Sequence, residues 1–371
     1  MPRTFTSSVL PPSERGLEFG TVHRAEVGRT VAAYGRLFEA AAGHSFDPMP
    51  LGRLALERTR EFAPALADEI AGMAAGAHVD PELLGAVNAR TEVLAVANPR
   101  RMECSTVVVL PPAAPPIAVQ TWDWYLAMSD GWVHWTIPHP DGRRVETVTE
   151  YGVVGKIGVS SAGVGVLFNM LRHELDGQPP IGVPLHVLSR QVLDTAGDLD
   201  SATELVTGAP VSASSAITLV EGHAHGGRAV SIEAFPGGRG LLPPDGAGLL
   251  VRTNHFLSPQ GAPGCIAATI GPGTRLRYAA LVDGLAGPVP PTEDRVLAVM
   301  DDHPGHGYGV CAHPDPATAP LLRHGTLATV VIRPVEGQLQ VSEWGPCRRG
   351  PAEGQTDARH VARESAAGQA G

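Results

Sequence analysis

Glu103-Cys104-Ser105-Thr106-Val107-Val108-Val109-Leu110 opens with one Cys and two hydroxyl residues, then continues as a β-branched run. Thr and Val favour extended backbone, so a strand is predicted from Cys104 onward. A second β-run, Ile117 to Trp122, leads into Gln120-Thr121-Trp122-Asp123-Trp124, after the connection Pro111-Pro112-Ala113-Ala114-Pro115-Pro116. A Cys at the first position of a strand suits an N-terminal nucleophile. If the chain is cut between Glu103 and Cys104, the thiol attacks and the freed α-amine takes its proton. An α-amine titrates at about 7.7–8.0 and a thiol at about 8.5, so the pair is matched near neutral pH. A Thr paired with its own amine is the parallel case. The same Cys also reads as a small buried hydrophobe, and the tetrapeptide alone leaves both readings open.

Upstream, residues from about Thr21 to Ala97 read as helices. Val27, Val31, Tyr34 and Phe38 recur at spacings of 4, 3 and 4 and make one apolar face. A second stretch, about Leu54 to Ala75, carries Phe62, Leu66, Ile70 and Met73 on its stripe. Pro64 inside it predicts a kink or a break. Asp80-Pro81 offers an N-cap followed by Pro at N1. That third helix runs through Leu84, Val87 and Leu94 and stops before Asn98-Pro99.

Downstream, a hairpin around Asp141-Gly142 joins Trp132–Trp135 to Val145–Val148. Gly152–Phe168 offers two strands. Helices are predicted at Val183–Thr195 and Asp200–Thr207, then strands at Ala216–Glu221, Ala229–Phe235 and Leu249–Thr253. Thr292–Met300 reads as a helix, and Thr326–Arg333 with Leu339–Trp344 close the sheet. Residues 348–371 are polar and rich in Gly and Ala, which predicts a disordered tail. Strand runs around a helical insert fit an α+β protein with two packed sheets and helices outside.

The bulk properties set limits. The 371 residues suffice for one large domain or two small ones. Hydrophobic residues make up 43%, ordinary for a globular protein. With 28 basic and 38 acidic residues the net charge is −10, which argues against nucleic acid or an anionic membrane as partner. Gly (44) and Pro (34) are abundant enough to predict many turns. Cys104, Cys265, Cys311 and Cys347 lack a disulfide-framework spacing and fit a reducing compartment. Met1–Arg15 has no signal-peptide core, and Gly152–Met170 is too polar to span a bilayer, so a soluble cytoplasmic protein is expected.

Seven pieces in fixed order carry a resemblance over roughly residues 15–347. They are Asn88-Ala89-Arg90-Thr91-Glu92, Glu103-Cys104-Ser105-Thr106, Gln120-Thr121-Trp122-Asp123-Trp124, Asn169-Met170-Leu171, Thr253-Asn254-His255-Phe256, Asp302-His303 with Cys311-Ala312-His313-Pro314-Asp315-Pro316, and Thr326-Leu327-Ala328-Thr329-Val330-Val331. The chain resembles the acyl-coenzyme A:6-aminopenicillanic acid acyltransferase (isopenicillin N acyltransferase-like) family, peptidase family C45, of the N-terminal-nucleophile (Ntn) hydrolases. It departs from the family with Thr121 where Asn is usual and Glu103 where Gly is common. The resemblance implies a four-layer αββα sandwich. Residues 1–103 become a separate α chain after self-cleavage and residues 104–347 form the catalytic β chain. It implies a small-molecule acyl amide or acyl thioester substrate, an amine acceptor where the acyl group is transferred, a place in secondary metabolism, no cofactor and no metal.

On this resemblance Cys104 is the nucleophile, and Glu103-Cys104 is the autocleavage site. Asp123 matches the active-site carboxylate, able to steady an α-ammonium. Asn254 matches the oxyanion-hole amide, and its neighbour His255 points to the other face if the strand is regular. Thr326, Arg190 and Asn169 are further pocket candidates, equally readable as buried groups bonded to backbone. Trp122, Trp124, Trp132 and Trp135 wall a pocket or pack the core. A different function class uses Asp301, Asp302, His303, His306, Cys311 and His313. A metal-dependent hydrolase built on Asp302, His303, His306 and His313 is the alternative enzyme, although the spacing matches no known metal motif. A third class is an unprocessed binding protein. His223-Ala224-His225 reads as a solvated loop pair.

Overall fold

An eight-stranded sheet lies against a five-stranded one in the computed structural model, which describes residues 3–97, 104–271, 273–304 and 308–348. The chain enters through strand β1 (Thr4–Thr6) and helices α1 (Pro12–Val22), α2 (Arg24–Ala42), α3 (Met49–Phe62), α4 (Pro64–Ala77), α5 (Pro81–Asn88) and α6 (Arg90–Ala97). Strands β2 (Cys104–Val109), β3 (Ile117–Tyr125), β4 (Trp132–Pro138), β5 (Arg144–Glu150), β6 (Ile157–Ser160) and β7 (Val164–Met170) follow. Helices α7 (Leu185–Thr195) and α8 (Leu199–Gly208) come next, then β8 (Ser215–His223), β9 (Gly226–Phe235), β10 (Gly238–Leu242) and β11 (Leu249–Arg252). Helices α9 (Ala267–Ile270), α10 (Gly273–Leu285) and α11 (Glu293–Met300) precede β12 (His324–Arg333) and β13 (Gln338–Glu343). The larger sheet is ordered β1-β4-β5-β6-β7-β8-β9-β10 and the smaller β11-β2-β3-β12-β13.

Alternation along β2 separates the layers. Val107 and Val109 pack with Leu281, Leu285, Val296, Leu297 and Met300 of α10 and α11. Val108, between them, joins Val166 and Leu219 in the cluster between the sheets. Helices α7 and α8 cover the far side of the larger sheet. The result is the αββα sandwich expected from the resemblance.

The N-terminal segment differs from the expectation in two ways. It is not purely helical, because β1 pairs in parallel with β4. Of the two outcomes expected at Pro64, a kink or a break, the structure has the break: Pro64 starts a new helix after Ala63, since its missing N–H is tolerated in a first turn. The predicted third helix divides at Ala89 into α5 and α6. Its start is as read: the Asp80 side chain accepts from Glu82 N at 2.8 Å. Helices α1 and α4 meet backbone to backbone, and a Cβ on Gly16 would lie 2.0 Å from the Glu69 carbonyl oxygen.

Buried charges fix this segment to the sheets. Glu69 of α4 accepts from Arg15 and from Arg190 of α7, the latter at 2.9 Å. Arg190 also donates to Asp194 at 2.7 Å. Glu150, ending β5, accepts from Arg90 Nε at 2.9 Å and from the Tyr34 hydroxyl. Asn88 donates to Gly152 O at 2.8 Å and accepts from Val154 N at 3.0 Å. Among the described residues no helix is long and apolar enough to cross a membrane.

Candidate active site around Cys104

Cys104 starts β2 opposite Trp122 and is only 7% exposed. Thr106, two residues on, donates across the sandwich to Asn169 Oδ1 of β7 at 2.8 Å, so Cys104 and Thr106 share the inner face. Ser105 turns outward and accepts from Arg277 Nη1 of α10 at 2.9 Å. β11 runs antiparallel to β2 with Arg252 opposite Thr106. The strand ends there, and the next two residues bring Asn254 level with Cys104.

Asn254 and Arg277 hold Cys104 from two sides. Asn254 Oδ1 accepts from Cys104 N at 2.8 Å and from Arg277 Nη2 at 2.9 Å. Arg277 Nη1 also donates to Cys104 O at 3.1 Å. A guanidinium has only donors, so the oxygen of Asn254 must face it. Asn254 Nδ2 points the other way and donates to Met170 O at 2.9 Å. Its amide oxygen, not its amide N–H, therefore meets the backbone nitrogen of Cys104.

The thiol of Cys104 faces the Asp123 carbonyl oxygen at 3.7 Å. The Asp123 carboxylate accepts from Thr326 Oγ1 at 2.7 Å. A bulge between Thr326 and Ala328 aims that hydroxyl. Thr326 Oγ1 in turn accepts from Ala312 N at 2.9 Å. Thr121 accepts from Ser105 N at 3.3 Å.

Burial first, and then the Asp123 charge, push the Cys104 thiol up to about 11. Lys156 opposes this. Its ammonium lies 3.5 Å from the Trp122 ring centroid and 4.0 Å from Glu150. Burial, then Arg90, hold Lys156 well below its ordinary pKa. His255 is pulled down to about 4 by burial and then by Arg252, and is neutral near pH 7.

Cys104, Asp123, Asn254, Thr326 and Asn169 thus come together. Asn169 Nδ2 is buried with no hydrogen-bond partner among the described residues. Trp122, Trp124, Trp132 and Trp135 are all core residues. The described hydrogen bonds of Arg190 go to Glu69, Asp194 and Val154 O, in the network that anchors α4. His223 ends β8 exposed, 3.4 Å from Glu221. His303, Cys311 and His313 form a separate cluster with Cys347. Glu103, His306 and residues 349–371 lie outside the described residues. Sequence reasoning missed Arg277 and Lys156. For Lys156 the signal is a lone cation among small and apolar neighbours; Arg277, two residues after Arg275, carries no such signal.

The chain matches the model of the family described as acyl-coenzyme A:6-aminopenicillanic acid acyl-transferase over residues 114–346. It is 29% identical over 251 residues to the 40 kDa form of acyl-coenzyme A:6-aminopenicillanic-acid-acyltransferase of Emericella nidulans, covering 67% of this chain and 68% of that one. Among solved structures, a Caenorhabditis elegans ortholog of N-acylethanolamine-hydrolyzing acid amidase aligns with a TM-score of 0.44 at 14% identity, over 62% of this chain and 93% of that one. Penicillin V acylase from Agrobacterium tumefaciens aligns with a TM-score of 0.43 at 15% identity, over 65% and 83%. The chain is an enzyme of the acyl-coenzyme A:6-aminopenicillanic acid acyl-transferase family.

Proposed function

We propose that the enzyme cuts its own chain before Cys104 and then uses that residue as an N-terminal nucleophile on small-molecule acyl amides or acyl thioesters. The observation that carries this reading is the 2.8 Å hydrogen bond from Cys104 N to Asn254 Oδ1, beside a thiol of the same buried residue. An amide oxygen is a pure acceptor, suited to hold a peptide N–H before cleavage and an ammonium after it.

In self-cleavage the thiol adds to the Glu103 carbonyl carbon. The C–N bond breaks as Cys104 N takes up the proton the thiol releases, and water hydrolyses the thioester to the Glu103 carboxylate. In turnover the same thiol adds to the substrate's acyl carbon while its proton passes to the α-amine. The leaving amine or thiol departs with that proton. Water or an amine acceptor then takes the acyl group from S-acyl-Cys104. The raised thiol pKa leaves little free thiolate at pH 7, so a proton acceptor on the same residue has value.

The second N–H of Asn254 and the unpartnered Nδ2 of Asn169 are the oxyanion donors on this reading. Asp123, held by Thr326, steadies the ammonium. Residues 1–103 stay bound as an α chain through Glu69 and Glu150. A cytoplasmic role in secondary metabolism belongs to the same proposal, and the four unpaired cysteines suit a reducing compartment. Intact mass and N-terminal sequencing test it. Wild type should give fragments 1–103 and 104–371, and Cys104→Ala a single chain. An active wild type that remains uncut, or a large fragment starting elsewhere than Cys104, overturns the proposal.

A further inference from the structure

His303, Cys311, His313 and Cys347 converge beside the smaller sheet, with their ligand atoms all within 4.8 Å of one another. The Nε2 atoms of His303 and His313 are 2.9 Å apart, and the sulfurs of Cys311 and Cys347 are 3.4 Å apart. His313 Nε2 lies 3.8 Å from Cys311 Sγ and 3.6 Å from Cys347 Sγ. Ligands at 2.0–2.3 Å around a tetrahedral ion sit about 3.3–3.8 Å from one another. The distances from His313 to the sulfurs and between the sulfurs fall in this range, and the imidazole nitrogens need part by only about 0.4 Å, so two thiols and two imidazoles form a donor set suited to zinc.

The backbone is shaped for this convergence. A Cβ on Gly345 would lie 2.2 Å from Cys311 Sγ, so only glycine lets the chain after β13 pass so close. Trp344 before it adopts φ +69, in the left-handed region that bulky residues avoid. That turn folds Cys347 back onto Cys311. Asp301 Oδ1 lies 3.3 Å from His303 Nδ1, an outer carboxylate behind the imidazole that leaves Nε2 for an ion.

We propose that these four side chains bind one zinc ion that clamps His303 and the stretch Cys311–His313 to the stretch after β13 that carries Cys347. Each thiol gives up its proton on binding and the imidazoles bind neutral, so two protons are released. Four protein ligands close the coordination sphere, so the ion is structural and holds no water for hydrolysis. This departs from two sequence expectations, no metal at all and a hydrolase centre on Asp302, His303, His306 and His313. The fourth ligand, Cys347, lies 34 residues beyond His313, which hid the set from spacing arguments.

The clamp reaches the active site through one residue. Ala312 sits between two ligands, accepts from Thr326 N at 3.0 Å and donates to Thr326 Oγ1 at 2.9 Å. Thr326 in turn holds Asp123.

The full-length protein, grown with added zinc and purified without chelators, is assayed for metal by mass spectrometry. About one zinc per chain is expected, with none in Cys311→Ser/Cys347→Ser. Cobalt in its place should show thiolate charge-transfer absorption in wild type. Asp301→Asn should keep the stoichiometry but weaken zinc roughly 10-fold in a chelator competition, which a packing role alone would not do. Wild type decides the matter even if the double variant fails to fold. Failure to take up zinc on purification or titration overturns the proposal. So does a native mass lacking two hydrogens, with Cys311 and Cys347 joined as a disulfide.

Discussion

Asn254→Asp separates holding from catalysis at Cys104. The Asn254 side chain accepts from Cys104 N at 2.8 Å and Arg277 at 2.9 Å, and donates to Met170 O at 2.9 Å. Asn254→Ala removes all three. A neutral hydrogen bond contributes about 0.5–1.5 kcal/mol and one to a charged group about 1.5–3, so Ala should cost about 2.5–6 kcal/mol. That is a large part of a typical stability of about 5–15 kcal/mol. Asp keeps both acceptor contacts and gains an ion pair with Arg277. It loses only the donation to Met170 O, at about 1–3 kcal/mol for the unmatched oxygen. The Asp variant should therefore fold better than Ala and yet react no better. It has no amide N–H for an oxyanion and adds negative charge beside one. Loss of such a donor lowers the rate roughly 10²–10³-fold. Self-cleavage, followed by intact mass, needs no substrate and should slow by that factor. On material confirmed as cut, kcat and kcat/KM toward an acyl p-nitrophenyl thioester should fall together. A processed Asn254→Asp enzyme with kcat near wild type would refute the reasoning and leave Asn254 as a positioning group only.

Cys104→Ala should abolish both processing and turnover, and Cys104→Ser should process slowly, because a hydroxyl forms the ester but ionises less readily; gel time courses check both, and a cut, active Ala variant would end the nucleophile assignment. Glu69→Ala leaves Arg15 buried without its carboxylate and Arg190 with Asp194 alone, and should destabilise by about 3–5 kcal/mol in urea unfolding; a midpoint close to wild type would show that the network is dispensable. Burial raises Glu92 from 4.5 to about 7, so the folded state prefers the neutral acid and its contribution is full below pH 4.5 and lost as pH rises through 7. That loss amounts to about 3 kcal/mol, and Glu92→Gln should flatten the stability curve between pH 5 and 8; an unchanged slope would exclude Glu92 as its source.

Local chemistry was legible where a few adjacent residues decide the outcome. The Val-rich run after Cys104, the Pro64 break and the Asp80-Pro81 cap each stand as read. Long-range consequences were not. Helix α10 was missed because its pattern is inverted: Arg277 is fully buried while Leu276 is 49% exposed. An amphipathic stripe cannot be seen when the buried face carries a cation whose partners lie on β2 and beyond β11. Strands β1 and β10 were missed because three residues and a Gly-containing pentamer carry no period. Arg190 was named from the sequence and Arg277 was not, yet both are fully buried cations. One meets a carboxylate under α4 and the other the backbone of Cys104, and only the fold distinguishes them. Asn254 and Asp123 were singled out by matched residues, not by periodicity, since their separation along the chain says nothing of the register between β11, β2 and β3.

The charges that join the first helices to the sheets bear on how the two pieces of the proposed cleavage would stay paired. Glu69 and Arg190 stand on opposite sides of residues 98–103, and so do Arg90 and Glu150. Each is sealed from water before any peptide bond there is broken. Pulling the pieces apart would strand guanidinium and carboxylate groups in apolar surroundings, so the partnership is set when the chain folds and is inherited after a cut. Fragments made separately would start with those groups hydrated and would first have to shed that water to dock. On that proposal the leading helices dock most readily as part of a continuous chain. A defect in them should not be repaired by mixing in healthy fragments from another molecule.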